Sequence, residues 1–300
     1  MSLGLDHPLV CVTDLHAMRE TYLSLGFKMR PAGMHPWGTS TALVIFRNQL
    51  LELVGIGDAR LLDGYPAGAF RFGRHVQHSL AQRQGVPLTA LNSSDSAADL
   101  AKITARGGVC AGRIEFGRDV ITSDGRPDRT ATTLQIFTRA GLERLSVFTC
   151  QQHRRDLIEF PEWMDHPNGA TGFASATILA ERRDQPAVRG WLETIHGAGA
   201  IETAWGFSVE TGNGQWRVTD RAHAGALFGP LPEGLARDGA PSVISLDLKT
   251  RDLSRVTPYV TQGGFAHQRA GDALILTEIE RLGGILLSFT QQPEDKAPNV

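Results

Sequence analysis

Two stretches of equal length decide the fold: residues 13–27, TDLHAMRETYLSLGF, and residues 251–265, RDLSRVTPYVTQGGF. Apolar side chains recur at spacings of three and four through the first stretch, which predicts an amphipathic helix. In both stretches the second residue is an aspartate, which can cap a helix by accepting hydrogen bonds from its free amides. In both, the penultimate residue is a glycine, which commonly follows the last helical turn. The two stretches therefore predict equivalent helices near the two ends of the chain.

Strand patterns flank both helices. The runs HPLVCVT (7–13) and SVISLDLK (242–249) precede them and are typical of buried strands. Three further strands are predicted after the first helix, at 27–30, 41–46 and 50–54, the last two joined by a hairpin turn. The repeated unit is therefore βαβββ.

Two weaker copies of this unit are predicted between the ends, with helices at 96–106 and 186–195. Four copies in 300 residues are about 75 residues each. A charged, proline-containing segment without periodicity, 153–169, is predicted to connect two pairs of modules. We predict an α+β fold of four βαβββ modules, paired into two half-open, barrel-like halves at 1–152 and 170–300.

Composition excludes several classes of function. The net charge is −2 and 41% of the residues are hydrophobic, so a globular core is expected and nucleic acid is not an expected partner. No apolar run is long enough to span a membrane, and no signal peptide is predicted. Three widely spaced cysteines, Cys11, Cys110 and Cys150, favour a reducing compartment, and we expect a cytoplasmic protein.

Common catalytic motifs are absent from the sequence. It contains no Gly-x-Gly-x-x-Gly, no phosphate-binding Lys-Ser/Thr loop, no Gly-x-Ser-x-Gly, no His-Glu-x-x-His and no paired cysteines for zinc. The readily recognised dehydrogenases, kinases, serine hydrolases and zincins are therefore not predicted.

The paired βαβββ unit resembles the vicinal oxygen chelate superfamily, which includes glyoxalase I, bleomycin-resistance proteins and extradiol dioxygenases. The landmarks of this resemblance are GLDH at 4–7, DL at 14–15, LGF at 25–27 and LEL at 51–53. The run HPWGT at 35–39, followed by a strand and by LEL, is similar to the glyoxalase-like domain proteins. The resemblance covers residues 5–180.

The resemblance implies a metal site, because metal ligands in this superfamily come from the first and last strands of each module. His7 lies on a predicted first strand and Glu52 on a last strand. Burying Glu52 among leucines is costly unless a metal or an ion pair meets the carboxylate. An imidazole and a carboxylate suit Zn²⁺, Fe²⁺, Mn²⁺ or Ni²⁺. We expect His153 as the third ligand, since the last strand of the second module has no glutamate. The alternative is a water-exposed Glu52 and a core His7 without a metal.

Four residues are predicted to contact a substrate: His35, Trp37, His78 and Arg118. The first two lie in the 35–39 loop, which is interpreted either as a wall of the cavity or as a turn that fixes the next strand. His78 shares a predicted helix face with His75. Arg118 can hold a carboxylate with its forked guanidinium group, although a surface arginine is the alternative.

The leading functional hypothesis is a small-molecule enzyme whose divalent metal chelates vicinal oxygens of its substrate, as a lyase, isomerase or dioxygenase. The alternative is a metal-free protein that binds an antibiotic or metabolite. The expected partners are a small-molecule substrate and, at most, a second copy of the chain in a homodimer. If His153 lies on the outer surface, the metal has at most two ligands and the binding protein is favoured.

Overall fold

The structure is a computed structural model that describes residues 3–122 and 124–291. The last nine residues of the predicted C-terminal half, 292–300, lie outside the described residues.

The N-terminal half contains two βαβββ modules with one additional helix between them. The first module comprises β1 (Leu5–Cys11), α1 (Leu15–Ser24), β2 (Gly33–Met34), β3 (Thr39–Phe46) and β4 (Gln49–Ile56). The additional helix is α2 (Phe72–Gln82). The second module, which includes a short inserted hairpin, comprises β5 (Gly85–Asn92), α3 (Ser96–Ala105), β6 (Cys110–Phe116), β7 (Asp119–Ile121), β8 (Pro127–Arg129), β9 (Thr132–Phe137) and β10 (Ser146–Gln152).

The C-terminal half follows a segment with one short helix, α4 (Pro161–Met164). Its first module comprises β11 (Ala170–Leu179), α5 (Gln185–His196), β12 (Ile201–Thr203), β13 (Gly206–Glu210) and β14 (Gln215–Thr219). A short helix, α6 (Gly225–Phe228), links the two modules of this half. The final module comprises β15 (Ser242–Thr250), α7 (Leu253–Gln262), β16 (His267–Ala270), β17 (Ala273–Leu276) and β18 (Leu286–Gln291).

Both halves have the same strand order. In each half, the first strands of the paired modules lie antiparallel at the centre of eight strands, and each lies parallel to the last strand of its own module. A single pairing, between Val243 of β15 and Val86 of β5, joins the two sets into one sixteen-stranded sheet. The order is β2-β3-β4-β1-β5-β10-β9-β6 in the N-terminal half and β12-β13-β14-β11-β15-β18-β17-β16 in the C-terminal half. The predicted α+β fold of four βαβββ modules is confirmed. The division into halves at 1–152 and 170–300, with a connector at 153–169, stays a prediction.

The matched helices have matched ends. The Asp14 carboxylate accepts a hydrogen bond of 2.9 Å from the amide of Ala17 at the start of α1, and Asp252 accepts one of 2.7 Å from Ser254 at the start of α7. Gly26 and Gly264 follow these helices with φ of +80° and +61°, in the left-handed region that favours glycine. Their sequence pattern thus reflects the backbone geometry of the two turns.

The predicted strand at 27–30 is not formed, which corrects that part of the prediction. Phe27 and Met29 are buried as a strand would bury them, but the segment has no strand partner. The amide of Lys28 donates instead to Nδ1 of His166, at 3.1 Å. A side chain from the segment that joins the halves thus accepts the hydrogen bond that a neighbouring strand would otherwise accept.

The main hydrophobic core runs through both halves, and a second core of aromatic and aliphatic side chains lies beneath β1 and α2. The second core supplies the floor of the site described below. Within residues 3–122 and 124–291, no helix is both long and apolar enough to cross a membrane.

Candidate active site

Glu52 is the centre of a polar group inside an apolar cavity of the N-terminal half. It lies on β4, where it pairs with Leu9 of β1, and its side chain is only 6% exposed. The hydroxyl of Thr41 donates a 2.5 Å hydrogen bond to Glu52 Oε1. Nε2 of His35 lies 3.5 Å from the same oxygen, and Nε2 of His7 lies 3.4 Å from the other oxygen. One buried carboxylate is therefore shared by two imidazoles and a hydroxyl.

His7 is oriented by the residue that precedes it. Its Nδ1 lies 3.5 Å from Oδ1 of Asp6, a carboxylate that is fully buried, and its ring packs edge-on against Phe148. Arg155 meets both Asp6 oxygens at 2.9 and 3.2 Å. Burial raises the pKa of Asp6, but His7 and Arg155 outweigh it, so that pKa lies below its usual value. Asp6 is therefore an anion held against the far side of the His7 ring.

His35 is held by the turn between β2 and β3. Its Nδ1 lies 2.9 Å from the Thr39 hydroxyl, which leaves Nε2 towards Glu52, and its ring stacks on Trp37 with centroids 4.7 Å apart. Burial, with the charges of Arg118 and His7, lowers the pKa of His35 well below its ordinary value. His35 is thus a neutral imidazole near pH 7. The 35–39 loop serves both predicted purposes, because it is a tight turn and also a wall of the cavity.

The cavity has a small inner part and a wide outer part. The inner part is about 40 Å³ and the adjoining outer part about 750 Å³, and both are lined by His35 and Arg118. The inner walls are mostly apolar and aromatic: Trp37, Leu43, Leu50, Phe72, Phe116, Leu134, Phe148 and Ile158. Such a shape, apolar with a few convergent polar groups, is typical of a small-molecule site.

Arg118 is the arginine that lines both parts of the cavity. It follows β6, and its backbone N–H donates a 2.9 Å hydrogen bond to the Thr130 hydroxyl oxygen. Burial lowers the pKa of the Arg118 guanidinium, although Glu52 acts in the opposite direction. No side-chain hydrogen bond or ion pair joins it to any residue that the structure describes. The guanidinium is therefore available to a ligand.

The other predicted site residues lie elsewhere. His78 is on the exposed face of α2, where Nε2 contacts Gln82, and it does not line the cavity. His153 is exposed just after β10, with Nε2 2.9 Å from the Thr133 hydroxyl, and it does not line the cavity either. The structure therefore does not bring the expected third metal ligand to His7 and Glu52, a correction to the predicted ligand set.

The repeat explains why His153 does not lie beside His7 and Glu52. Seven residues before the helix caps Asp14 and Asp95, the two modules carry His7 and Leu88. In the same way, Glu52 pairs with Leu9 on β1, and Phe148 pairs with Ala90 on β5. The second-module counterparts of the two predicted ligands are thus Leu88 and Phe148, and both are buried and apolar.

The described side chains around Glu52 do not form a cluster of metal ligands. In the part of the chain that the structure describes, no group of three or more His, Cys, Asp and Glu side chains is disposed to hold a metal ion. A site with only two protein ligands holds a metal weakly.

Two contributors to the site were not predicted from the sequence. Thr41 shares a strand face with Thr39, so strand periodicity could have placed both hydroxyls beside the cavity. Asp6 directly precedes His7, and a strand would send the two side chains to opposite faces. An irregularity in the β1–β5 pairing between Leu5 and His7 accompanies their approach, and this has no sequence signal.

Comparisons with known proteins were consistent with this architecture. A family model described as "Glyoxalase-like domain" matches residues 5–195. No curated protein matches the chain significantly.

Three solved structures share the fold. A hypothetical protein from Staphylococcus aureus is 14% identical, with a TM-score of 0.66, and the match covers 97% of this chain and 100% of that one. A mutant 4-hydroxymandelate synthase from Streptomyces coelicolor is 10% identical, with a TM-score of 0.57 and coverage of 100% and 94%. A xylose isomerase-like TIM barrel/4-hydroxyphenylpyruvate dioxygenase fusion protein is 9% identical, with a TM-score of 0.58 and coverage of 100% and 50%.

Proposed function

Because the chain belongs to the glyoxalase-like domain family, within the vicinal oxygen chelate superfamily, we propose that its N-terminal cavity is the active site of a small-molecule enzyme. The proposed reaction is a proton transfer on the bound substrate, of the lyase or isomerase type. The observation that carries this proposal is the Glu52 carboxylate, buried in a cavity between the imidazoles of His7 and His35. Such a group is costly to bury and has no evident structural purpose, which favours a functional one.

Glu52 is proposed as the general base. Its carboxylate lies at the inner end of the cavity and is fixed by Thr41, so it can accept a proton from a substrate group that reaches the inner part. His7, with Nε2 at the second oxygen and Asp6 behind Nδ1, is placed to relay that proton. A positioned general base accelerates such steps by about 10²–10⁴-fold.

A panel of small carbonyl compounds and organic acids in D₂O tests this role. We expect the wild-type protein to exchange a carbon-bound proton of a bound compound for deuterium, seen as loss of its ¹H NMR signal. Glu52→Gln keeps the shape but removes the base, so the rate should fall by about 10²–10⁴-fold. His78→Gln, at an exposed histidine outside the cavity, is the matched control and should leave the rate unchanged.

The results separate enzyme from binding protein. Exchange that is equally fast in Glu52→Gln would contradict the role of Glu52. Compounds that bind the wild-type protein without any exchange would favour the alternative, a metal-free small-molecule binding protein.

A divalent metal, as Zn²⁺, Fe²⁺, Mn²⁺ or Ni²⁺, is the second candidate. The observation in its favour is that Nε2 atoms of two histidines, His7 and His35, face one carboxylate, Glu52. When bound, a metal would act as a Lewis acid on substrate oxygens. Elemental analysis of purified protein decides: a stoichiometric transition metal that is lost in Glu52→Gln would favour the metalloenzyme, whereas far less than one ion per chain would favour proton transfer by the protein side chains alone.

A further inference from the structure

Two arginines at the mouth of the cavity have no hydrogen-bond or ion-pair partner among the residues that the structure describes. Arg30 and Arg118 both line the outer part of the cavity. The Arg30 guanidinium carbon lies 5.2 Å from the centre of the Phe160 ring, and the end of the Arg118 side chain lies near Gly33. Within residues 3–122 and 124–291, neither guanidinium donates a hydrogen bond or forms an ion pair.

The unpartnered state is specific to these two arginines of the outer cavity. Arg129 lines the same outer cavity, but it forms an ion pair with Asp119 at 2.5 Å and donates to the Gly117 carbonyl at 3.1 Å. Burial lowers the pKa of Arg30, and the charge of Arg118 lowers it further, so the two cations repel one another across the mouth. Like charges held close together without a direct ion pair to either of them are typical of a site that receives an anion.

The charges around the cavity suit a single negative charge. Arg30 and Arg118 carry two positive charges, and Glu52, which acts on Arg118, carries one negative charge. These three charges sum to +1. The exposed Glu162 also acts on Arg30, from outside the cavity. A carboxylate brings one negative charge and matches the fork of an arginine in size and geometry. A phosphate dianion would exceed the balance.

The rest of the outer cavity is apolar enough to hold a hydrocarbon body. Its lining includes the side chains of Pro31, Met34, Leu43, Leu61, Leu157 and Ile158. A ligand with its charge on Arg118, at the junction of the two parts, can therefore place an apolar body in the outer part and a small reacting group in the inner part.

We propose that the substrate is an apolar monocarboxylate, whose carboxylate is held by Arg118 together with Arg30. This proposal rests on the proposed function, because it takes the Glu52 cavity as the site of reaction.

Isothermal titration calorimetry with two matched probes tests the proposal. Phenylacetate carries the carboxylate, and phenylacetamide has the same shape without the charge. We expect phenylacetate to bind the wild-type protein more tightly than phenylacetamide or inorganic phosphate. Arg118→Gln and Arg30→Gln should each weaken phenylacetate binding by about tenfold or more, because each removes charge-assisted hydrogen bonds. Arg126→Gln, which changes an exposed arginine that pairs with Asp124 and does not line the cavity, should leave the affinity within about twofold.

Three results would overturn the proposal: equal binding of acid and amide, an equal loss of affinity in Arg126→Gln and Arg118→Gln, or no binding of phenylacetate at millimolar concentration. Phosphate binding that is tighter than phenylacetate binding and is lost in Arg118→Gln would also overturn it, in favour of a phosphorylated substrate.

Glu52→Gln separates this proposal from the proposed function. The variant removes a negative charge near Arg118, so phenylacetate should bind at least as tightly as in the wild type, even though proton exchange is lost. Carboxylate binding without any Glu52-dependent exchange would support the substrate class and reject the reaction. Glu52-dependent exchange on neutral compounds alone would support the reaction and reject the substrate class.

Discussion

His196, at the end of α5, is a buried histidine whose neutral form the fold requires. Its Nδ1 lies 3.1 Å from the Leu3 carbonyl, and Nε2 accepts a 2.9 Å hydrogen bond from the indole N–H of Trp216. Burial lowers the pKa of His196 from 6.5 to about 4. The unfolded chain therefore binds this proton between pH 6.5 and 4, whereas the folded chain does not, and the free energy of unfolding falls as the pH falls through this window.

The size of this effect is testable. Between pH 7 and pH 5, His196 should account for a loss of about 2 kcal/mol in the free energy of unfolding. Urea denaturation of His196→Gln should therefore show a fall between these pH values that is smaller by about this amount, whatever its stability at pH 7. His78→Gln, at an exposed histidine, serves as the control and should keep the wild-type pH dependence. An unchanged pH dependence in His196→Gln would contradict the prediction.

The sequence could locate some site residues better than others. His7 and Glu52 could be placed near one another through the resemblance to the vicinal oxygen chelate superfamily, whose metal ligands come from the first and last strands of a module, and the structure pairs these two strands in parallel. The prediction of His153 rests on its residue type, whereas the register of the repeat assigns Phe148 to that position. Asp6 and Arg155 meet across 149 residues, and this contact between a bulged strand and an aperiodic segment has no local pattern.

At the scale of elements, the segment between the halves is a part of the site. Arg155 lies in a short 3₁₀ turn, Arg155–Leu157, and its guanidinium pairs with the fully buried Asp6. Glu159 and Asn92 also contact Arg155. Leu157, in the same turn, lines the outer cavity. The predicted connector therefore anchors the strand of His7 and closes one side of the cavity.

Two neighbouring arginines make this testable. Arg155→Met leaves the buried Asp6 without its counter-charge, and we expect a loss of about 3 kcal/mol in the free energy of unfolding. Arg154→Met removes ion pairs to the more exposed Asp128 and Asp156, and we expect a loss below about 1 kcal/mol. Urea denaturation at pH 7 measures both. Adding Asp6→Asn to Arg155→Met should restore part of the lost stability, and equal effects of the two single changes would contradict the anchoring role.

Helices and strands whose sequence has a regular hydrophobic period could be predicted more accurately than segments whose backbone conformation depends on contacts with distant residues. The helix predicted in the stretch 251–265 is α7, Leu253–Gln262, and the predicted strands at 41–46 and 50–54 lie within β3 and β4. The segment 27–30 has the composition of a strand, yet its backbone is bound by His166 from beyond the second module. Its pairing depends on a distant side chain, which a local pattern does not contain.

At the scale of the whole molecule, the two halves share one hydrophobic core. Trp191 of α5 is buried in this core, and its indole N–H donates a 2.8 Å hydrogen bond to the Leu145 carbonyl of the other half. The Tyr22 hydroxyl similarly donates to the Leu282 carbonyl, at 3.3 Å. A core that continues across the boundary predicts that the halves unfold together.

Urea unfolding followed by tryptophan fluorescence and by far-UV circular dichroism tests this. We expect a single transition that coincides for both signals. Trp191→Ala should lower the stability of the whole transition by about 3–5 kcal/mol without splitting it. Two transitions, with only one of them shifted by Trp191→Ala, would instead support separately folding halves at 1–152 and 170–300.

Phe148, the second-module counterpart of Glu52, lines the cavity, whereas Leu88, the counterpart of His7, lies in the adjoining hydrophobic core. Because they mirror His7 and Glu52 across the pseudo-twofold relation of the modules, one copy keeps the carboxylate and both imidazoles while the other provides a wall. Exchanging one apolar residue for another in that wall reshapes the pocket and leaves the proton-handling groups intact, so new specificity can arise there first. The same symmetry places the cavity two substitutions, Leu88→His and Phe148→Glu, from a cage of four donors of the kind that Zn²⁺ accepts.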